Sequence, residues 1–322
     1  MIFYVTFLRC LAAVLITNSH FTGIYPTNLI ANGGLLGNVL FFAVSGFCLY
    51  NIKDSFFIWY YKRIVRIYPA TWIITGIYCL LGAYVIPLTP RDLVWWFAYP
   101  TYYHFIGSII VLYVVYYIVI TSLRKFKKTN LIPQIMLLVA IAYFIVYILF
   151  YDKSTYHIDV VREPMIRFLF FESMLLGAYF RCNDGYFRNK NKNIKKVGVA
   201  TFLSCCVYFL TKTLLVRGII PSELQFVNQL VLFAVLYHCF LLFSRLDRVL
   251  EKGPQKFLVI TNFISTHTLE IYLVQFVLID FARRCKVFPF NWGLAVASII
   301  TSAFILHQVA SRIGDLLLKP VS

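Results

Sequence analysis

Apolar runs long enough to cross a membrane recur along the 322 residues of the chain, separated by short polar stretches. Because a spanning helix needs about 20 mostly apolar residues, the pattern predicts ten spans. They are residues 3–22, 35–52, 67–88, 103–122, 132–151, 165–181, 197–216, 226–244, 260–281 and 291–311. The pattern therefore predicts an all-α integral membrane protein, with its transmembrane helices in one bundle. Residues 1–322 form a single predicted domain without a fused soluble domain.

Composition and charge narrow the class of protein. The chain is 61% hydrophobic, only 13% charged, and has a mean hydropathy of +0.77, which excludes an ordinary soluble domain. Its net charge of +17 is interpreted as the basic excess of cytoplasmic loops. The bilayer is therefore an expected partner, and nucleic acid is not. The eight cysteines form no CxxC or Cys/His pattern, so neither a metal nor a disulfide framework is expected.

Lysine and arginine are distributed unevenly between the two sides of the predicted bundle. With the amino terminus in the cytoplasm, 21 of the 30 Lys and Arg residues fall inside and seven fall outside. Two others, Arg167 and Lys212, lie within predicted spans. Cytoplasmic loops carry the excess of positive charge, so both termini are predicted to be cytoplasmic. The predicted outer loop, residues 151–164, is interpreted as a simple connection or as a contact for carbohydrate.

The first predicted span contains two ionisable residues, Arg9 and His20, separated by apolar or small residues for most of the interval. Eleven steps along an α-helix make almost three turns, so both side chains are expected on one face, about 16 Å apart along the axis. Ionisable groups inside a membrane helix are costly and are functional-site candidates. The alternative is that Arg9 marks the cytoplasmic end and His20 lies near the outer surface.

The second span contains Ser45 and Gly46. Small residues let membrane helices approach closely, so this pair indicates a packing contact. A serine nucleophile and a small-residue window beside a substrate path are the alternatives, although the surrounding residues do not form the Gly-x-Ser-x-Gly nucleophile elbow.

A basic stretch follows the second span and ends in an aromatic–proline pair. Its Arg63 and Arg66 are three residues apart and share a face if the stretch is helical. The planar fork of arginine suits phosphate. The alternative is ordinary positive-inside charge or contact with anionic lipid.

Together, these three stretches resemble the acyltransferase-3 family of bacterial membrane O-acyltransferases. The family pattern is Arg-x10-His in the first span, met by Arg9 and His20, and then a Phe-Phe-x-x-Ser-Gly-Phe-like span, met by residues 41–47. An Arg-x-x-Arg stretch with an aromatic–proline pair follows at residues 63–69. Ten spans are also the family's topology. The resemblance weakens after residue 100, and Gln275 stands where many members carry histidine.

The resemblance implies acyl transfer, usually of acetyl from acetyl-CoA, to a hydroxyl of a cell-surface or lipid-linked saccharide. It also implies a multi-pass protein of the bacterial cytoplasmic membrane. Arg9, Arg63 and Arg66 would then bind CoA phosphates through charge-assisted hydrogen bonds. His20 would act as general base or carry the acyl group covalently, and the sequence does not choose between these routes. Glu172, in the sixth span, is a candidate partner of a catalytic histidine.

Several alternatives remain open at the level of sequence. Another acyl group, such as succinyl, is one. A transporter or flippase of lipid-linked glycan is another, since polar groups within spans suit that role. A non-catalytic helper of glycan assembly is a third. Among the other intramembrane polar residues, Glu270 ranks below Glu172 as a candidate, His238 and His307 are interpreted as packing residues, and His267 receives no role.

Overall fold

Helices form all the regular structure in the residues that the computed structural model describes, which are 2–87, 89–100, 103–157, 165–188 and 193–319. The long helices are α1 (Phe3–Ser19), α2 (Gly34–Leu49), α3 (Phe56–Leu80), α5 (His104–Lys125), α6 (Ile132–Phe150), α7 (Met165–Cys182), α9 (Ile194–Val216), α10 (Gln225–Glu251), α11 (Gln255–Thr266), α12 (Thr268–Ala282) and α13 (Phe290–Leu318). Two four-residue helices, α4 (Pro90–Leu93) and α8 (Asp184–Phe187), lie between them. The predicted outer loop is described only as far as residue 157.

Five helical segments in the described part of the chain are long and apolar enough to cross a membrane. They are α5, α6 with the turn that precedes it, α9, α10 and α13. The pair α11–α12 makes a sixth if it counts as one span, while α1 and α2 are apolar but shorter, at 17 and 16 residues. The chain is therefore a multi-pass, all-helical membrane protein. The count of ten spans and the cytoplasmic location of both termini stay predictions.

Helix α3 begins well before the predicted third span. The predicted spans leave residues 53–66 as a loop, but the helix starts at Phe56, with Ser55 as its N-cap residue. The reason is that the preceding aromatic residues are part of the packing: Trp59 is buried with its ring 5.7 Å from the ring of Tyr113. Burying aromatic area stabilises the extra turns. The loop prediction is therefore wrong, and Arg63 and Arg66 belong to a helix.

The predicted ninth span is two helices rather than one. Helices α11 and α12 meet at His267 and are bent by 77°. Polar side chains at the break bond to nearby carbonyl groups: the Thr268 hydroxyl donates to Ile264 O and Ser265 O, and His267 Nδ1 donates to Phe263 O. Such local bonds compete with regular helix geometry. The polar start that sets this segment apart in the sequence therefore marks the bend.

The chain divides into two compact units, each built from three separate stretches. Unit 1 contains Met1–Ala12, Leu35–Asn51 and Val119–Asn262, and unit 2 contains Ala13–Gly34, Ile52–Ile118 and Phe263–Ser322. In unit 1, α7 packs against α6, and α9 packs against α10. In unit 2, α3, α12 and α13 pack against one another.

Within unit 1, the start of α1 is held by a buried carboxylate. Asp247 on α10 is 3% exposed and accepts the Tyr4 N–H at 2.7 Å, in the first turn of α1. A carboxylate at this place also complements the positive end of the helix dipole. Arg188, which follows α8, pairs with the same Asp247 and with Asp184. Partial burial opposes its charge, but the two carboxylates prevail and raise the pKa of Arg188. This arrangement fixes the helix that carries Arg9.

In unit 2, α3 and α13 approach each other at a small residue. Pro69 lies inside α3, so its nitrogen cannot donate to the carbonyl four residues earlier, that of Val65. Gly314 of α13 lies beside this carbonyl: a Cβ added to it would be 3.6 Å from Val65 O. The contact positions α13 along the turns of α3 that carry Arg63 and Arg66.

Candidate functional site

Helices α2 and α7 touch through their backbones at two glycines. A Cβ on Gly46 would lie 2.0 Å from Met174 O, and one on Gly177 would lie 1.8 Å from Ala43 O. No side chain fits at either position, so both helices approach as closely as glycine allows. The packing interpretation of Gly46 is therefore confirmed. Ser45, beside it, is half-buried.

Glu172 lies on α7, two residues before this contact. It is 7% exposed, and its Oε2 atom has no hydrogen-bond partner in the described part of the chain. The backbone of Ala140 on α6 contacts the carboxyl group. An ionised carboxylate at this depth needs a partner, because burying an uncompensated charge costs several kcal/mol. Glu172 is therefore placed to accept a proton or a donor group, as a functional carboxylate would be.

Arg9 is the cation of unit 1 that the sequence motif singled out. Its side chain is half-buried, and among the described residues it has Cys48 Sγ as its hydrogen-bond partner, at 3.5 Å. Cys48 is the penultimate residue of α2, and sulfur is a weak acceptor. A guanidinium group carries five N–H donors, so most of its capacity remains for an anion.

His20 lies one residue beyond the end of α1, in a turn where its N–H donates to Thr17 O. Its ring is half-buried, with its centroid 4.4 Å from that of Phe276 on α12. Arg283, just past α12, donates to His20 O and to Thr22 O and pairs with Asp280. The backbone at His20 is thus fixed to the end of α12, while neither ring nitrogen bonds to a described residue.

The cations in the basic stretch of α3 differ in their contacts and in their exposure. Lys62 pairs with Asp54 at 2.9 Å, and the Arg63 guanidinium lies 5.7 Å from the centre of the Trp59 ring. Arg66 is exposed. The pairing with Asp54 partly neutralises Lys62, whereas the exposed guanidinium of Arg66 offers a planar fork of donors. Arg66 is therefore the most accessible anion-binding group of this stretch.

An apolar groove of about 230 Å³ opens in unit 2 beside the second half of α1. Side chains from α1, α11, α12 and α13 line it, among them Val14, Ile271, Trp292 and Ile300. At the edge of the groove, the side-chain amide of Asn18 donates to Ile30 O and Asn32 O in the loop between α1 and α2. The lining suits a hydrocarbon chain.

The predicted site residues divide between the two units. Arg9, Ser45, Gly46 and Glu172 belong to unit 1, whereas His20, Arg63 and Arg66 belong to unit 2. Within unit 1 the α2–α7 contact brings the segment of Ser45 and Gly46 beside the segment of Glu172. The roles assigned to all seven residues stay predictions.

The structure adds a cluster whose members the sequence analysis saw only one at a time. Glu270 on α12 and His307 on α13 are hydrogen-bonded, with Oε1 and Nδ1 2.8 Å apart. The ring of His267, at the α11–α12 bend, has its centroid 4.6 Å from that of His307. Each residue is an ionisable group within an apolar segment, which is the only signal that the sequence offered. Their proximity follows from packing of α12 on α13.

Comparison with known proteins gives one match. A family model described as "Acyltransferase domain" matches residues 2–308. No curated protein and no solved structure matches the chain.

Proposed function

Because the chain belongs to the acyltransferase-3 family, we propose that it transfers an acyl group, in the first instance acetyl, from acyl-CoA to a hydroxyl of a cell-surface or lipid-linked saccharide. The observation that carries the proposal is the extent of the family match, which runs through residues 2–308 and so includes every candidate site residue. The general class, a membrane acyltransferase, follows from the family and from the apolar helices.

The donor's phosphates are assigned to three arginines. Arg9 has a weak sulfur acceptor as its partner, and Arg66 is exposed, so both retain donors for an anion. Arg63 lies over Trp59 one turn earlier on α3. Charge-assisted hydrogen bonds from guanidinium to phosphate are short and roughly twice as strong as neutral ones. These features support acyl-CoA as the donor.

His20 is assigned the proton transfer. In one route the sugar hydroxyl attacks the thioester carbonyl while an imidazole nitrogen takes the hydroxyl proton. The C–S bond then breaks, and the departing thiolate receives that proton. In the other route an imidazole nitrogen attacks the thioester carbonyl, the C–S bond breaks and CoA leaves as the thiolate. The sugar hydroxyl then attacks the acyl-imidazole, the C–N bond breaks, and the hydroxyl proton passes to the freed imidazole nitrogen. The free ring nitrogens of His20 and its fixed backbone support either route.

Supporting roles fall to residues of unit 1. Glu172 is proposed to orient a histidine or to accept its proton, because its buried Oε2 atom bonds to no residue that the structure describes. Ser45 and Gly46 are proposed to border the substrate path where the backbones of α2 and α7 touch. The protein is proposed to cross the bacterial cytoplasmic membrane ten times, with both termini inside.

The test is to delete the gene and examine the surface glycan by NMR. Loss of O-acetyl signals with the sugar backbone unchanged is the expected result, and plasmid-borne wild type should restore them. Loss of succinyl or other acyl signals instead would show that this acyl group, and not acetyl, is the one transferred. Loss of the whole glycan from the surface, with lipid-linked precursor accumulating inside, would identify a flippase and overturn the transferase proposal.

A further inference from the structure

The cluster of Glu270, His267 and His307 in unit 2 is rich in hydrogen-bond acceptors and poor in donors. Glu270 is 5% exposed and His267 is 6% exposed. Glu270 Oε2 and His267 Nε2 are buried and have no hydrogen-bond partner in the described part of the chain. Buried polar groups are nearly always paired, so two such atoms in one cluster call for an explanation.

The contacts fix which atoms accept. His267 Nδ1 lies 2.7 Å from Phe263 O, and because a carbonyl can only accept, Nδ1 carries the proton. In the neutral ring Nε2 is then a bare acceptor. His307 Nδ1 likewise donates to Glu270 Oε1, which leaves Oε2 as a second acceptor. Glu270 Oε2 and His267 Nε2 are therefore both acceptors that can bind a hydrogen-bond donor.

The cluster is also accessible from one side. The His307 side chain is 28% exposed, whereas that of Glu270 is 7% exposed. His267 lies at the bend between α11 and α12, Glu270 lies in the first turn of α12, and His307 contacts both from α13. Broken helices with polar groups at the break are a recurrent way of building binding sites within membranes.

We propose that Glu270, His267 and His307 bind hydroxyl groups of the saccharide that accepts the acyl group. This inference rests on the proposed function and supplies its acceptor side. Sugar hydroxyls are donors, and two of them match the carboxylate oxygen and the imidazole nitrogen that lack partners. A phosphate does not match, because it would bring further acceptors to a carboxylate. The proposed groups bind and orient the hydroxyl; proton transfer stays with His20.

The probe for the test is hexyl β-D-glucopyranoside, compared with its per-O-methylated form, which keeps the ring and alkyl chain but has no O–H donor. Binding to the purified full-length protein in nanodiscs is measured by isothermal titration calorimetry without acyl-CoA. Wild type should bind the hydroxylated probe at least about tenfold more tightly than the methylated one, since a hydrogen bond to a charged group is worth that much.

Two variants test the residues. Glu270→Gln places an amide donor where the probe needs an acceptor, and His267→Phe keeps the ring contact with Phe263 while removing Nε2. Each variant should bind the hydroxylated probe about tenfold or more weakly than wild type does, so that its affinity approaches that for the methylated probe. His238→Phe, a histidine of α10 in unit 1 that also has a buried unpartnered nitrogen, is the matched control and should bind as wild type does.

Equal affinity of wild type for the two probes, or no binding of either, overturns the site. So does unchanged binding by a monodisperse Glu270→Gln or His267→Phe protein; the two variants are independent, so one that fails to fold leaves the other as the test. Because no acyl-CoA is present, the result is separate from turnover. If the purified protein binds the probe but deletion of its gene leaves surface O-acylation unchanged, the binding site stands and the proposed function is wrong.

Discussion

Arg9 of α1 and His20, one residue beyond its end, are held in different ways. The side chain of Arg9 meets a weak sulfur acceptor, whereas His20 is held through its backbone by Arg283, and its ring nitrogens bond to none of the described residues. Fixing the backbone while sparing the reactive atoms is what preorganisation requires of a catalytic side chain. The arrangement leads to two predictions at the scale of single residues.

His20→Ala should reduce acyl transfer by at least about a hundredfold, because a positioned general acid–base group contributes roughly that much or more. The measurement is transfer of labelled acetyl from acetyl-CoA to glycan in membranes that contain equal amounts of protein. His238→Ala, which removes a histidine of α10, serves as control and should retain activity. Near-normal transfer by His20→Ala would contradict both the general-base and the acyl-histidine routes.

Arg66→Lys keeps the positive charge but loses the planar fork, so the apparent KM for acetyl-CoA should rise roughly threefold to tenfold. Arg63→Lys should act in the same direction. Lys62→Arg is the matched control, because Lys62 is already paired with Asp54 and its KM should stay near that of wild type. An unchanged KM in both arginine variants would return these residues to a role in membrane orientation alone.

At the scale of helices, the backbones of α2 and α7 touch at Gly46 and Gly177, where an added Cβ would lie 2.0 Å and 1.8 Å from a carbonyl oxygen. Gly46→Ala and Gly177→Ala should each destabilise the protein by about 1–3 kcal/mol or more, because the new methyl group meets a carbonyl that cannot move aside. The measurement is the midpoint of thermal unfolding in detergent.

Gly198→Ala is the control for this contact. Gly198 lies within α9, and an added Cβ there meets nothing within 4 Å. Since alanine is the better helix former, its midpoint should stay or rise slightly. Equal effects at Gly46 and Gly198 would mean that α2 and α7 do not approach as closely as described.

The helices were largely predictable from the sequence, and the contacts between them were not. Each predicted span overlaps a helix, because apolar runs must form their backbone hydrogen bonds internally within a membrane. The polar residues at the start of the ninth span marked a real irregularity, but not its angle. Glu270 and His307 are 37 positions apart, and no helical period relates residues on different helices. The contact of Gly46 with Met174 could not be predicted from the sequence for the same reason.

The orientation of the whole molecule decides whether the arginines of α3 can meet cytoplasmic acyl-CoA. The charge distribution predicts that Ser55, before α3, lies inside and that Ser154, after α6, lies outside. Both residues are exposed, so each accepts a cysteine without disturbing packing. In a variant without native cysteines, an impermeant maleimide added to intact cells should label Ser154→Cys and spare Ser55→Cys.

Permeabilised cells are the control and should allow labelling at both positions. Labelling of Ser55→Cys from outside would invert the topology and detach Arg63 and Arg66 from the cytoplasmic donor. Labelling of both in intact cells would contradict the ten-span arrangement itself.

The interleaving of the two compact units has a consequence for synthesis. The ribosome delivers the chain from its amino terminus, and each unit needs stretches that emerge far apart in time. Helix α3 is made early, yet the helices that cover it in unit 2, α12 and α13, are made last. Until translation passes Phe263, α3 has Tyr113 of α5 to pack on Trp59 but lacks α12 and α13. The packing of α3 within unit 2 is therefore completed only when the last stretch of the chain has been made.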